Sequence, residues 1–513
     1  MKSILLFTVL IFFAGQIVAN NIAVSNVTLT GHNTVAGLNN PANYVMVQFS
    51  VNWENSWRSS FGPGNWDAAW LFIKYRVSGG DWKHASLNNI GHTAPAGSTI
   101  DAGLLTPYAA FNSVTNPGIG AFIYRNTNGS GTFTATNLQL RWNYGAQSIP
   151  DNTAIEVQAF AVEMVYVPQG AFNAGGGGGS GSFTSTTINT TIMFVPPSGS
   201  GSLGGQAGGY PTGQLAPSNG WPNGFAAIYC MKYEISQQQY VDFLNTLTRG
   251  QQGGRVASDI TGTSVTNRYV MSGLNFVNLR SAICCNATIP ASPVPVTFYC
   301  DLSGNSIGSE ANDGQWIACN YINGADVAAF LDWSGLRPMT ELEFEKICRG
   351  TLLPVAGEFA WGSTIVTGAT GISNSGTASE TASNAGANVS YNSLISGPMR
   401  VGNFAGAATN RIQSGASYYG AMELSGNIWE RGVVTIGNLL GRGFTGLHGN
   451  GTIGVIGVAD VLNWPGADGT GSGFRGGSNA NIVEIRISDR TLALFADNTR
   501  YVDAGGRGVR SAP

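Results

Sequence analysis

YYGAMELSGNIWER, residues 418 to 431, sets two carboxylates, Glu423 and Glu430, around a tight Ser425-Gly426-Asn427 turn. A turn of this kind lets side-chain carboxylates and backbone carbonyls converge on one point. A calcium ion, which takes about 6 to 8 oxygen ligands at once, suits that arrangement. Acids flanking a glycine are also common on solvated surface, so the stretches around the turn decide how it is read.

Working outward, GLRPMTELEFEKICRG (335 to 350), EFAWG (358 to 362), GFRGGS (473 to 478), SDR (488 to 490) and GGRGVR (505 to 510) follow one another along the chain. EMVYVPQGAF (163 to 172) and YCMKYEISQQQYVDFL (229 to 244) precede them. In this order the motifs resemble those of the formylglycine-generating enzyme, or sulfatase-modifying factor, superfamily. The resemblance implies a C-type-lectin-like α+β fold with much irregular structure and a structural calcium at the GNxWE turn. Its ligands here would be the Glu423 and Glu430 side chains with the Gly426 and Ile428 carbonyls; the family usually places Asp or Asn where Glu423 stands.

A length of 513 residues exceeds what one core usually organises. Lys2 and the apolar run from Ile4 to Val18 read as a secretory signal peptide, residues 1 to 19, cleaved after Ala19. The mature chain is then expected to be secreted or held at the cell surface. No later stretch approaches the roughly 18 apolar residues of a membrane span. Charged residues are 10% of the chain against about 25% in typical globular proteins. Yet 43% hydrophobic residues with 12 Trp, 17 Tyr and 24 Phe argue against disorder. A net charge of −3 gives no footprint for nucleic acid.

From residue 20 to 160 the period is two. In YVMVQFSVNW (44 to 53), Val45, Val47, Phe49, Val51 and Trp53 alternate with the other face, and residues 68–77, 120–126, 133–144 and 154–167 continue the pattern. Separated by Gly, Pro and Asn turns, these segments predict an antiparallel β-sandwich. Trp53, Trp57, Trp66, Trp70, Trp82 and Trp142 are read as packing residues rather than a sugar platform. Residues 161 to 513 form the family-like domain, with a Gly/Ser-rich insertion at about 173–220 that reads as a flexible excursion. Ser236 with Gln239, and Thr340 with Glu343, mark capping boxes at two helix starts. Ala325 to Trp333 reads as a short helix, and 363 to 513 as loops with short strands.

Formylglycine-generating members hold copper on a cysteine pair in the segment after their GG[ST] motif. Here that segment is GGSNANIVEIRISDR (476 to 490) and carries no cysteine, so copper is not expected. The six cysteines, Cys230, Cys284, Cys285, Cys300, Cys319 and Cys348, are instead expected to form disulfides in an exported chain. A second branch uses three histidines for iron, but only His448 lies in the family-like domain; His32, His84 and His92 precede it. His448 reads as an exposed loop residue.

Asp301, Ser303 and Asn305 are oxygen side chains at alternate positions and form a second calcium candidate, against an Asx-turn loop. Arg475, Arg486, Arg490, Arg507 and Arg510 resemble the arginines stacked in the family's core. Arg442, Phe444, His448 and Trp464, on loops between 437 and 477, are the candidate ligand-binding face. The expected function is a calcium-stabilised, non-catalytic binding or surface scaffold module. Its partner would be a cell-surface protein, a glycan or further copies of itself. The alternatives are a formylglycine-generating-type oxidase and a diversified ligand-binding protein.

Overall fold

The computed structural model describes residues 17–19, 22–33, 40–189, 220–406 and 409–513. Apart from Ile17–Ala19, a strand paired with Ile22–Val24, the signal-peptide segment lies outside them. The protein is rich in sheet, with six short α-helices among the described residues.

Period-two patterning yields β1 (Ile22–Thr30), β2 (Val45–Arg58), β3 (Asp67–Val77), β4 (Ser98–Leu104), β5 (Gly118–Arg125), β6 (Gly129–Trp142) and β7 (Ile155–Val167). Beyond residue 220 come β8 (Ile228–Met231), β9 (Trp429–Val434), β10 (Ser472–Arg475), β11 (Ala504–Gly505) and β12 (Val509–Ser511). One layer runs β1-β2-β6; the other runs β12-β8-β7-β3-β5-β4, all antiparallel. Leu87 bridges Gly118 of β5 and Trp142 of β6. The expected sandwich is therefore a sheet curled on itself, joined along one side.

Between its layers lie Val47, Phe49, Val51 and Trp53 of β2, Leu138 and Leu140 of β6, and Ala69, Leu71 and Ile73 of β3. The opposite face of β3, with Trp70 and Phe72, packs on Tyr240, Phe243, Phe330 and Trp333 from two helices. Being buried on both faces, β3 reads as a continuous apolar run. Residue 160, the expected domain boundary, is in the middle of β7, which pairs along its length with β3 and at its end with β8. Arg510 on β12 donates to the Leu104 carbonyl of β4, 406 residues away in sequence.

The helices start where their caps predict. In α1 (Gln237–Leu244) Ser236 and Gln239 form the capping box, and in α4 (Glu341–Arg349) Thr340 and Glu343 do. Between them, α2 (Arg249–Arg255) uses Thr248 and Gln251, and α3 (Gly324–Trp333) uses Asn323 and Asp326. Each box satisfies two of the donors left open at a helix start.

Two expectations are corrected here. The start of the Gly/Ser insertion is no loose tether. Phe172–Ala174 and Thr186–Ile188 pair as a hairpin, the Gly175 N–H donates to Glu345 Oε2 at 2.6 Å, and the Gly177 carbonyl accepts from Gly357. The glycines here turn the backbone through positive φ where other residues are strained; residues 190–219 lie outside the described set. The cysteines form no disulfide, all six being buried free thiols. Export chemistry argued for bridges, but these thiols are spread through packed interior as small apolar side chains.

Candidate functional site

The 418–431 turn is built on left-handed backbone, with Glu423, Gly426 and Asn427 at φ 53°, 85° and 63°. A Cβ on Gly426 would lie 2.5 Å from the Ser390 carbonyl oxygen, so this position accepts glycine alone. Backbone groups at the turn's tip are paired with distant segments. Gly426 N–H reaches the Gly476 carbonyl, Asn427 N–H reaches Ser390, and the Asn427 carbonyl accepts from Asn479. The Asn427 side chain accepts from Met399 N–H at 2.8 Å and donates to Glu234 Oε2 at 2.6 Å.

Glu234, two residues before the α1 cap, is the carboxylate the sequence reading missed. It accepts from Ile428 N–H at 3.2 Å, and it is buried beside Glu423 and Glu430, both buried as well. Glu423 Oε1 accepts from Gly402 N–H at 2.9 Å. Among the described residues, Arg507 is the one basic side chain hydrogen-bonded to any of these carboxylates, through its Nε to Glu430 Oε1. Burial, and then the charges of Glu423 and Glu430, holds Glu234 well above the usual carboxylate range. Burial pushes Glu423 up to about 7 and raises Glu430 as well. Glu423 Oε2 and Glu430 Oε2 are buried with no hydrogen-bond partner among the described residues.

Such orphaned carboxylate oxygens fit a bound cation, since a buried unpaired oxygen is otherwise costly. The geometry also limits the site. Among the described residues no three His, Cys, Asp or Glu side chains converge closely enough to chelate a metal by themselves. Any ion would share its shell between two side chains and backbone carbonyls.

The second candidate closes on itself. Asp301 Oδ2 accepts from Ser306 N–H at 3.1 Å, Ser303 Oγ–H reaches Asp301 Oδ1 at 3.3 Å, and Asn305 spans to Ile307 and Glu310. These oxygens accept the loop's own donors, as in an Asx turn.

The four loop residues named as a ligand face lie mostly beneath it. Phe444 and Arg442 are buried, Trp464 is half-buried with its Nε1 on the Leu447 carbonyl, and His448 is buried. The exposed-loop reading of His448 is thus corrected. Its Nε2 accepts the Ser511 N–H of edge strand β12 at 3.0 Å, and burial with Arg510 nearby holds it neutral. The same loops do expose apolar groups: Leu439, Leu440, Val455, Ile456 and Leu462.

Arg475, Arg490, Arg507 and Arg510 are buried and Arg486 is half-buried. Arg475 and Arg490 share Glu341, and Arg475 also pairs with Glu345. Planar guanidinium forks suit such shared pairing.

No protein-family model matches the chain, and no curated protein matches it in sequence. No helix among the described residues is long and apolar enough to cross a membrane.

Proposed function

We propose that this is an exported protein whose residues 161–513 form a formylglycine-generating-enzyme-like, C-type-lectin-like domain held by calcium. It acts as a non-catalytic binding or surface scaffold module. The observation that carries the reading is the buried group of Glu234, Glu423 and Glu430 around Arg507, with two carboxylate oxygens unpartnered. Calcium would be held by the Glu423 and Glu430 side chains with the Gly426 and Ile428 carbonyls. When bound, it supplies positive charge to carboxylates that burial otherwise drives toward the protonated form. EDTA should lower the melting temperature and calcium restore it, calcium stabilising the fold by about 2.7 kcal/mol when its free concentration is a hundredfold above its dissociation constant. A melt indifferent to both removes Glu423 and Glu430 from the site.

The non-catalytic reading rests on the cysteines. The segment from 476 to 490 contains none. Elsewhere burial pushes Cys230 up to about 12, Cys284 to about 11 and Cys285 to about 12, and it is the thiolate that binds metal. Conversion of a cysteine-bearing peptide to its aldehyde in the presence of Cu(I) would overturn it.

The binding surface belongs to the loops between 437 and 477, through the exposed Leu439, Leu440, Val455, Ile456 and Leu462. Apolar loops on a low-charge surface favour a protein or glycan partner at the cell surface, or self-association. Light scattering and a glycan and surface-protein screen test this. A monomer that binds nothing, and behaves like a variant with Val455, Ile456 and Leu462 replaced by Ser, sinks the assignment.

A further inference from the structure

Three ionisable side chains outside the calcium site meet in the wall between the two halves of the chain. Asp67 opens β3, Glu163 lies on β7, and Lys232 directly follows β8. Asp67 pairs with Val165 and Met231 with Met164, while the Lys232 N–H donates to the Glu163 carbonyl at 2.9 Å. Register therefore puts all three side chains on one face of three adjacent strands. Lys232 Nζ lies 3.1 Å from Asp67 Oδ2 and 3.0 Å from Glu163 Oε2. All three side chains are almost wholly buried. Aromatic rings enclose them: Lys232 Nζ lies 5.0 Å from the Trp57 ring centre and 5.3 Å from that of Tyr233.

The Asp67 carboxyl is held as an electrophile would be. Ser56 Oγ–H at 2.8 Å and Trp57 N–H at 3.0 Å both donate to Oδ1, while Trp53 Nε1–H at 2.8 Å donates to Oδ2. Two donors on the oxygen that would become an oxyanion, and an amine on the other side, are the parts of an acyl-transfer site. Glu163 supplies the proton carrier. Its Oε2 touches the ammonium, its Oε1 has no hydrogen-bond partner among the described residues, and burial pushes it up to about 7, whereas Lys232, despite its own burial, is held well above its ordinary value by Glu163, Tyr233 and Asp67.

We propose that Lys232 and Asp67 condense within the folded protein to an amide, an isopeptide cross-link, with Glu163 carrying the protons. Lys232 Nζ gives a proton to Glu163 Oε2, and the freed lone pair attacks Asp67 Cγ. The Nζ–Cγ bond forms, and negative charge collects on Oδ1 between Ser56 and Trp57. Glu163 passes its proton to Oδ2, the attacking nitrogen loses a second proton to the same oxygen, and the Cγ–Oδ2 bond breaks. The ammonium and carboxylate become one amide and one water, and Glu163 ends as it began. No oxidant or cofactor enters. Holding the groups at contact removes the entropic cost of a bimolecular step, and a neutral amide replaces a buried ion pair that is costly to desolvate.

The test is the mass of the unfolded protein. The wild type should be lighter by one water than the sum of the residues it retains after any leader is removed. Proteolysis should give a branched peptide joining the Asp67 and Lys232 segments. Glu163→Gln, checked for a cooperative melt, should keep its full mass. Aspartyl succinimide at Asp313-Gly314 or Asp468-Gly469 would lose the same water, so the peptide map decides. A full-mass wild type, or a loss mapped to those sites, overturns the cross-link. A Glu163→Gln protein linked as completely as wild type overturns the role of Glu163.

Discussion

Asn427 donates its side-chain amide to Glu234 at 2.6 Å across the base of the turn, and the same side chain accepts from Met399 N–H. Replacing Asn427 by Ala strands both partners in the interior, at an expected cost of about 2 to 4 kcal/mol by urea unfolding. Asn427→Gly removes the same bonds but relieves the left-handed backbone, and should recover only about 1 kcal/mol of that loss. Equal stability of Gly and wild type would show that backbone conformation, not the side chain, holds the turn.

Gly426 and Gly386 share a positive φ but differ in surroundings. A Cβ on Gly426 meets Ser390 O and Val389 Cγ2, whereas one on Gly386 meets nothing within 4 Å. Gly386→Ala should cost about 1 kcal/mol for backbone conformation alone. Gly426→Ala should cost distinctly more and also weaken the response of the melt to calcium.

Asp332 on α3 is pushed up to about 7, mainly by burial, against N–H donors from Asp460 and Asn450 that favour its charged form. A raised carboxyl means the folded protein holds a proton the unfolded chain has released. This stabilising contribution is therefore full below the unfolded value of 3.8 and is lost as pH rises through about 7. Measured against Asp332→Asn, wild-type stability should fall across that window by at most about 1.4 kcal/mol per pH unit. A difference that does not change with pH would refute this.

The six buried free thiols should be silent to a thiol reagent in the native protein and should all react once it is unfolded in urea without reductant. Fewer than six titrated thiols after unfolding would restore the disulfide expectation.

A fragment beginning at residue 161 leaves β7 without its partner β3, which pairs from Asp67 to Val77, and bares the core face built on Trp70 and Phe72. Such a fragment should aggregate or melt without cooperativity, while residues 20–513 give one sharp transition. A well-behaved fragment would mean that the two halves fold independently.

Much of this arrangement was legible in the sequence. Val45 through Trp53 announce β2 by alternation, and Ser236/Gln239 and Thr340/Glu343 mark their helices because capping chemistry is local. The Thr248/Gln251 box was equally local but hidden by the glycines of Arg249–Arg255, whose low propensity conceals a helix held by packing. Glu234 left no trace, since its meeting with Glu423 and Glu430 depends on tertiary contact. His448 misled for the opposite reason. Its flanking glycines suggest a loose loop, but the ring is needed to receive the Ser511 N–H. The boundary near residue 160 rests on EMVYVPQGAF resembling the first strand of the family-like domain, and in the structure that segment continues a strand that already pairs with β3 from Ile155 onward.

The bond from Arg510 to the Leu104 carbonyl also bears on how the chain can be made. Synthesis runs from the N-terminal end, and domains usually fold as units while the rest is still emerging. Here β12 pairs with β8 at one end of the sheet while β4 lies at the other, and the Arg510 guanidinium can reach Leu104 only once residue 510 has left the ribosome. Pairings so distant in sequence make for slow folding. The contact between an early strand and the last one therefore forms only when both ends of the chain are present together.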